Sequence, residues 1–364
     1  MAGLGWWRSV SSGSRLGYVD WLRGLAVLLM MQTHAYDSWL TPEAKRTPFY
    51  GWSRLMGGYP APLFLFLAGL SLALLAHSRL GKGRSLVRVR REALQRGLEV
   101  LAYAALFRLW MFTTGGFVKP ADLLRVDVLN CIGLSMLLVA ALALRFERLR
   151  GQLLAAASLA AGVGLLTPLA WDSAWPAWIP RPLLAYVSGR VPGAYFPLFP
   201  WAGFTGAGAA VGLLLARAHA AGREGQAIAV LTASGAAAMP LGLLLDRLPQ
   251  VYPRYDFWWT SPNYFLVKVG ILLLLLGGAY AWGLAPWAAW PSLLRQLGKT
   301  SLLVYWVHIE IVYGGIAAPA ARAGLGVMGA SVGLALLVLA MLALSLLRTQ
   351  TLRLGRGRVP AAAS

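Results

Sequence analysis

The chain has 364 residues, of which 58% are hydrophobic and 13% charged, and its mean hydropathy is +0.62. A soluble domain carries about 25% charged residues, so a water-facing globular enzyme is excluded, and several apolar runs reach the ~20 residues that cross a bilayer core. The net charge of +20 does not mark a nucleic-acid binder, because most basic residues sit beside apolar runs, where they orient helices in a membrane.

Residues 1–17 form a short polar tail with Trp6, Trp7 and Arg8. The tail lacks the apolar core of a signal peptide and reads as interfacial. The first span is predicted at 22–40 and ends at Thr41-Pro42, after which a turn-rich loop runs to Tyr59-Pro60. The second span, at 61–77, leads into a dense basic loop. That loop holds Arg79, Lys82, Arg84, Arg88, Arg90, Arg91 and Arg96 against one acid, Glu92. Further spans are predicted at 97–114, 128–144, 152–171, 196–216, 226–245, 264–283, 300–317 and 324–347. A basic tail follows at 348–364.

The expected fold is therefore all-α, a polytopic membrane bundle of ten spans with both termini cytoplasmic. With that orientation the inside segments hold roughly twice as many Lys and Arg as the outside loops. The outside loops at 172–195 and 246–262, with the span end before them, carry Trp171, Trp175, Trp178, Trp258 and Trp259. Such aromatics suit a membrane interface and can stack on a sugar. The single cysteine, Cys131, excludes an intrachain disulfide and reads as a packed small residue. The four histidines, His34, His77, His219 and His308, show no metal-ligand spacing.

Residues 18–39, YVDWLRGLAVLLMMQTHAYDSW, join an acid and a base to a polar cluster across an apolar run. On a helix Asp20, Arg23, Val27 and His34 fall within about 60° of one another, and Arg23 and His34 lie roughly 16 Å apart along the axis. His34 is a candidate general base, because histidine exchanges protons near neutral pH. Asp37, three residues on, is the expected partner that orients the imidazole. The structural alternative has His34 bonding a backbone and Asp37 capping the helix. In SLLVYWVHIEIVY, at 301–313, Ser301, Tyr305 and His308 recur at helical steps and share a face. They suit substrate binding or proton transfer, or an interhelical hydrogen-bond set.

Glu99, Arg108 and Lys268 are further ionisable groups within spans, where each is a functional candidate. Glu310 and Asp37 are the expected partners for Arg108, and Lys268 can snorkel to the interface. The cytoplasmic basic loop can hold donor phosphates, bind anionic lipid or set topology. Gly81-Lys82-Gly83-Arg84 lacks the pattern of a phosphate-binding loop, and a nucleophile elbow is absent.

The pattern R-L-x-x-V-D-x-L-R-G-L-A-x-x-L-M at 15–30, followed by His34 and Asp37, resembles the start of the heparan-α-glucosaminide N-acetyltransferase-like membrane proteins and their bacterial members. It also resembles the wider acyltransferase-3 group. Three further segments fit: VLNCIGL at 128–134, PLFPWAG at 197–203 and LGKTSL at 297–302, with Tyr305 and His308 beyond.

The resemblance implies a transmembrane acyltransferase domain at 18–347 in a bacterial inner membrane. An acyl group, usually acetyl, passes from cytoplasmic acetyl-CoA, a co-substrate rather than a bound cofactor, to an extracytoplasmic sugar or glycolipid. It implies His34 and Asp37 as catalytic residues, and Asp20, Arg23, Asn130, Ser301, Tyr305, His308 and Lys268 as donor- or substrate-binding ones. Membrane lipids are expected partners, no metal or nucleic acid is expected, and a homo-oligomer is compatible with the sequence. The animal lysosomal enzyme uses a histidine in the segment after its first span; residues 41–62 contain none here, so the chemistry falls on His34. A transporter or flippase that uses Glu99, Arg108, Lys268 and Glu310 as a path is the alternative reading.

Overall fold

The computed structural model describes residues 16–116, 119–314 and 322–357. Most of the amino-terminal tail, with Arg15 of the opening motif, lies outside the described residues, as does the end of the basic carboxy-terminal tail. The described chain is all-helical, with α1 at Gly17–Trp39, α2 at Pro48–Gly57, α3 at Pro60–Gly81, α4 at Leu86–Thr113 and α5 at Val128–Leu142. There follow α6 at Leu149–Asp172, the short α7 at Arg181–Leu184, α8 at Leu198–Ala220, α9 at Glu224–Leu245 and α10 at Pro262–Leu284. The chain ends with α11 at Leu293–Lys299, α12 at Ser301–Tyr313 and α13 at Val327–Gly357.

Each predicted span falls on one of these helices, with residues 315–317 of the one expected at 300–317 lying outside the described residues. Six helical stretches are long and apolar enough to cross a membrane: Pro48–Gly81, Leu149–Asp172, Leu198–Ala220, Glu224–Leu245, Pro262–Leu284 and Val327–Leu352. The chain is a polytopic integral membrane protein. Helix α1 is also long enough, at 23 residues, but Asp20, Arg23, His34 and Asp37 make it less apolar than those six. Those same residues give α1 its importance.

The structure adds helix where turn residues suggested loop. Thr47 precedes Pro48, and proline is tolerated in a first helical turn because its missing N–H would go unused there. Helix α2 forms from that point and leaves Trp52 and Met56 exposed on one side, as an interfacial helix would. The last span also runs on, so that α13 continues helical through the first part of the expected basic tail.

Bilayer lipid gives apolar helices little reason to prefer each other over acyl chains, so close backbone approach through small residues drives their pairing. The pairs here follow that rule. Gly97 of α4 faces Gly133 of α5, and Gly235 of α9 faces Gly270 of α10. Gly69 of α3 lies on the Thr205 carbonyl of α8, and Gly208 of α8 lies on the Phe66 carbonyl of α3. At the start of α1, Gly24 meets the Leu294 backbone, and Gly298 of α11 meets the Asp20 backbone. A methyl group at any of these positions would push two helices apart.

Helices α11 and α12 are two parts of one interrupted path. The break falls at Thr300 (φ −122°, ψ 24°). A carbonyl freed inside a membrane protein needs another donor. Ser345 of α13 supplies it, donating to the Gln296 carbonyl at 3.0 Å. The Thr300 hydroxyl bonds Ser345 at 2.6 Å, and the Gln296 amide donates to Ser345 and Thr349 at 2.9 and 3.1 Å.

Gly208→Val is expected to cost about 1–3 kcal/mol, because overpacking forces the backbone to shift. Gly278→Ala, where an added methyl group meets open space, should instead stabilise α10 by up to ~1 kcal/mol. Thermal unfolding in detergent measures both; an unchanged midpoint for Gly208→Val would refute the tight α3–α8 contact.

Candidate functional site

The site is built along α1, which presents polar side chains at both ends and an apolar face between them. At its amino-terminal end Asp20 is buried and accepts from Arg23 Nη1 at 3.1 Å. The Arg23 guanidinium also donates to the Ser71 hydroxyl of α3. The structure thus brings Asp20 and Arg23 together, as their one-turn spacing requires, and adds Ser71. A single polar residue in the apolar middle of α3 was the only sequence signal for it.

At the other end His34 Nδ1 lies 3.0 Å from His308 Nε2 on α12. The rings are parallel, with an interplanar angle of 2° and centroids 5.3 Å apart. His308 is fully buried, and its Nδ1 lies 2.8 Å from the Val304 carbonyl. The tautomers follow from these partners. A carbonyl only accepts, so His308 carries its proton on Nδ1 and its Nε2 is an acceptor. His34 must then donate through Nδ1, which leaves the lone pair of its Nε2 unprotonated. His34 is half-buried, and its ring also packs edge-on against Tyr313, with centroids 5.5 Å apart.

Asp37 takes different partners from the one its spacing suggested. Its carboxylate accepts from Tyr50 at 3.2 Å and Tyr313 at 3.0 Å, and its carbonyl accepts from Lys45. The partner of the His34 imidazole in the structure is His308, 274 residues away in the chain. Asp37 is exposed at the helix end, where tyrosines from α2 and α12 reach it and the imidazole, turned into the bundle, does not. Tyr50 and Tyr313 lacked any local motif that would have singled them out.

This end of α1 is clamped to the chain that follows α12. Ala323 N–H donates to the Ser38 carbonyl, Leu325 N–H to the Trp39 carbonyl and Thr41 N–H to the Leu325 carbonyl, at 2.8 to 3.0 Å. The Ser38 hydroxyl donates to the Val312 carbonyl at 3.0 Å. On the other flank Gln32 donates to Ser53 of α2, and Gly57 packs on Thr33. The depth of His34 relative to His308 is therefore fixed from both sides.

Helices α4 and α5 close the site. Tyr305, with Phe107 and His308 as ring neighbours, joins Met30, Met111, Val128 and Leu129 in one buried cluster. Asn130, at the start of α5, forms a reciprocal cap with Asp127 and donates to the Tyr186 hydroxyl at 3.2 Å. Arg108 pairs with neither Glu310 nor Asp37. Its Nη2 and Nε meet Asp127 Oδ2 at 2.8 and 3.0 Å, and its Nη1 donates to the Asp122 carbonyl at 3.0 Å. Glu310 instead accepts from Trp110 at 3.1 Å and Thr114 at 3.3 Å. Lys268 stands over the rings of Tyr264 and Trp201, at 4.5 and 5.7 Å. Ser301 is half-buried at the start of α12, more than a turn before His308. Among the described residues no group of three or more His, Cys, Asp and Glu could hold a metal ion.

Residues 15–244 match the family model described as Heparan-alpha-glucosaminide N-acetyltransferase, catalytic. The match spans well over half of the chain, and the chain belongs to that family. The membership implies a transmembrane acetyltransferase. No curated protein matches the chain.

Breaking the buried Arg108–Asp127 pair should cost about 3–5 kcal/mol, because one charge is left uncompensated. Arg108→Met is thus expected to lower the unfolding midpoint sharply, and Arg108→Met with Asp127→Asn to recover much of the loss, since asparagine still caps α5. A double-mutant cycle measures the coupling; simple additivity would show that the pair is not the source of the stability.

Proposed function

We propose that this member of the acetyltransferase family moves an acyl group, in the first instance acetyl, from acyl-CoA at the basic end of the bundle to a sugar or glycolipid acceptor at the opposite end. The observation that carries the reading is the tautomer chain Val304 carbonyl, His308, His34, which leaves a base lone pair on His34 Nε2. With both termini cytoplasmic, the Asp20–Arg23–Ser71 cluster faces the donor's side and His34 the acceptor's. The domain at 18–347 and a bacterial inner-membrane location are part of the same reading.

The chemistry is a single acyl transfer. His34 Nε2 takes a proton from the acceptor hydroxyl or amine as that group attacks the thioester carbonyl carbon. The carbon–sulfur bond breaks, the coenzyme A thiolate leaves, and the imidazolium returns the proton to it. His308 plays the orienting part that a carboxylate has in a catalytic triad. It holds Nδ1–H and so keeps Nε2 free, and its neutral lone pair stabilises the imidazolium less than a carboxylate would. Tyr313 and Tyr50 hold Asp37 at the exposed end of α1. Transient acylation of His34 is the other route for the same base, and rapid quenching with labelled acetyl-CoA separates the two: a labelled histidine adduct rules out direct attack.

Among the groups that a transporter would need, Arg108 is engaged by Asp127, Glu310 by Trp110 and Thr114, and Lys268 by two aromatic rings. These local partnerships favour structural roles for them.

His34→Ala is expected to reduce acetyl transfer in proteoliposomes by about 10²–10⁴-fold, the usual contribution of a general base, with the fold retained and a loss of stability of only about 1 kcal/mol. His308→Phe removes the acceptor for Nδ1–H and should lower kcat with little change in KM for acetyl-CoA. His308→Asn, which can still accept from His34, should restore part of that loss. Near-normal turnover by His34→Ala would overturn the assignment, and equal activity of the Phe and Asn variants would remove His308 from it.

A further inference from the structure

The basic loop was open to three readings: donor phosphates, anionic lipid or topology alone. The structure divides five of its six arginines into two sets. Arg79, Arg84 and Arg88 converge on Glu92, the one acid of the loop, which engages all three. Arg90 and Arg91 turn the other way around α4. With Arg145, from the end of α5, they line a cleft of about 270 Å³ whose remaining walls are Leu86, Val87 and Leu94 with Leu144 behind them. Among the described residues no acid lines this cleft. Arg90 Nε is buried without an acceptor, an unsatisfied donor on a residue that lines the cleft.

Arg145 also lines a second, larger cleft of about 450 Å³ along α6, bounded by Leu142 at the end of α5, by Phe146 and by Phe199 of α8. Its walls are almost wholly apolar, with Leu142, Leu159, Gly162 and Leu166 among them. Residues 155–166 of α6 carry it about 16 Å away from Arg145 along the helix. Both clefts lie on the outside of the bundle, where Val87 is 80% and Leu166 50% exposed. In a bilayer those faces meet acyl chains. A cationic pocket at the membrane–water boundary is thus continuous, through one arginine, with an apolar groove that runs into the membrane.

We propose that this joint binds one anionic phospholipid, with its phosphate among Arg90, Arg91 and Arg145 and an acyl chain in the cleft along α6. The charge pattern selects the headgroup. A zwitterionic lipid would bring its own cation to three arginines, whereas an anionic one brings net charge that they attract. The groove selects an amphiphile over a water-soluble phosphate, since the diphosphate of a nucleotide donor would leave the apolar cleft empty. Arginine also suits the phosphate, because its planar fork donates two parallel hydrogen bonds.

The test is native mass spectrometry of the full-length protein, released from detergent after incubation with phosphatidylglycerol or phosphatidylcholine of matched chains. Phosphatidylglycerol should be retained about tenfold or more over phosphatidylcholine, as expected for several interfacial arginines. Arg90→Gln, Arg91→Gln and Arg145→Gln combined should bring retention down to the phosphatidylcholine level. Gly162→Leu, where nothing stands within 4 Å of an added methyl group, should fill the groove and weaken retention while leaving every arginine and the fold in place. Equal retention of the two lipids would overturn the proposal, as would retention unaffected by either variant. Displacement of phosphatidylglycerol by free coenzyme A would overturn it too, and would reassign the arginines to the donor.

Discussion

A polar group inside a bilayer has no water to turn to, so its partner must come from the protein. That constraint arranges this molecule around α1. Asp20 and Arg23 at one end draw in Ser71 of α3. Gln32 draws in Ser53 of α2, and His34 draws in His308 of α12. Asp37 draws in Tyr50 and Tyr313. Each bond of this type is worth only on the order of 1 kcal/mol in a membrane. Their number and spread over three neighbouring helices still fix the rotation and depth of α1, which smooth apolar packing alone would leave free to slide.

The interruption between α11 and α12 serves the same end. Gly24 and Gly298 bring α11 into backbone contact with the foot of α1. The break at Thr300 then redirects the chain so that α12 presents His308 at the level of His34. An unbroken helix pressed that closely on α1 at its foot would have less freedom to place the imidazole at hydrogen-bonding distance. The cost of the break is a carbonyl without its helical partner, and the Gln296–Thr300–Ser345 cluster meets it. A polar cluster far from the histidines therefore helps to position one of them.

What could be read from the sequence was what repeats locally. Runs of apolar residues placed the spans. The spacing of Asp20 and Arg23 placed both on one turn of a helix, where they do pair. The choice of partner for His34 was not local. Asp37 lies three residues away and His308 lies 274 away, and no periodicity distinguishes a neighbour along the helix from one across it. Arg108 repeats the lesson. Glu310 and Asp37 were plausible because they are charges within apolar surroundings, yet its partner is Asp127, the capping residue of α5, which in sequence looks like an ordinary helix start. Helix α2 was missed for a different reason: prolines and glycines at its ends read as turns, and only the exposed apolar side of Trp52 and Met56 shows an interfacial helix.

The geometry of α1 bears on how a group could cross the membrane. Arg23 and His34 are separated by about 16 Å along a helix, and each is locked by partners on other helices. Neither end is free to swing toward the other. In the proposed reaction the distance is therefore bridged by the donor, whose flexible arm would lie along the apolar face between them, and the protein keeps its two polar ends still. Fixed groups are what a reaction governed by orientation requires, since a base that must first be ordered forfeits much of its advantage. A carboxylate beside His34 would strengthen the imidazolium but would also bring a charge deep into the bundle, at a cost that buried ions seldom recover. In the proposed reaction a second histidine orients the first without that charge, which suits a base held within a membrane.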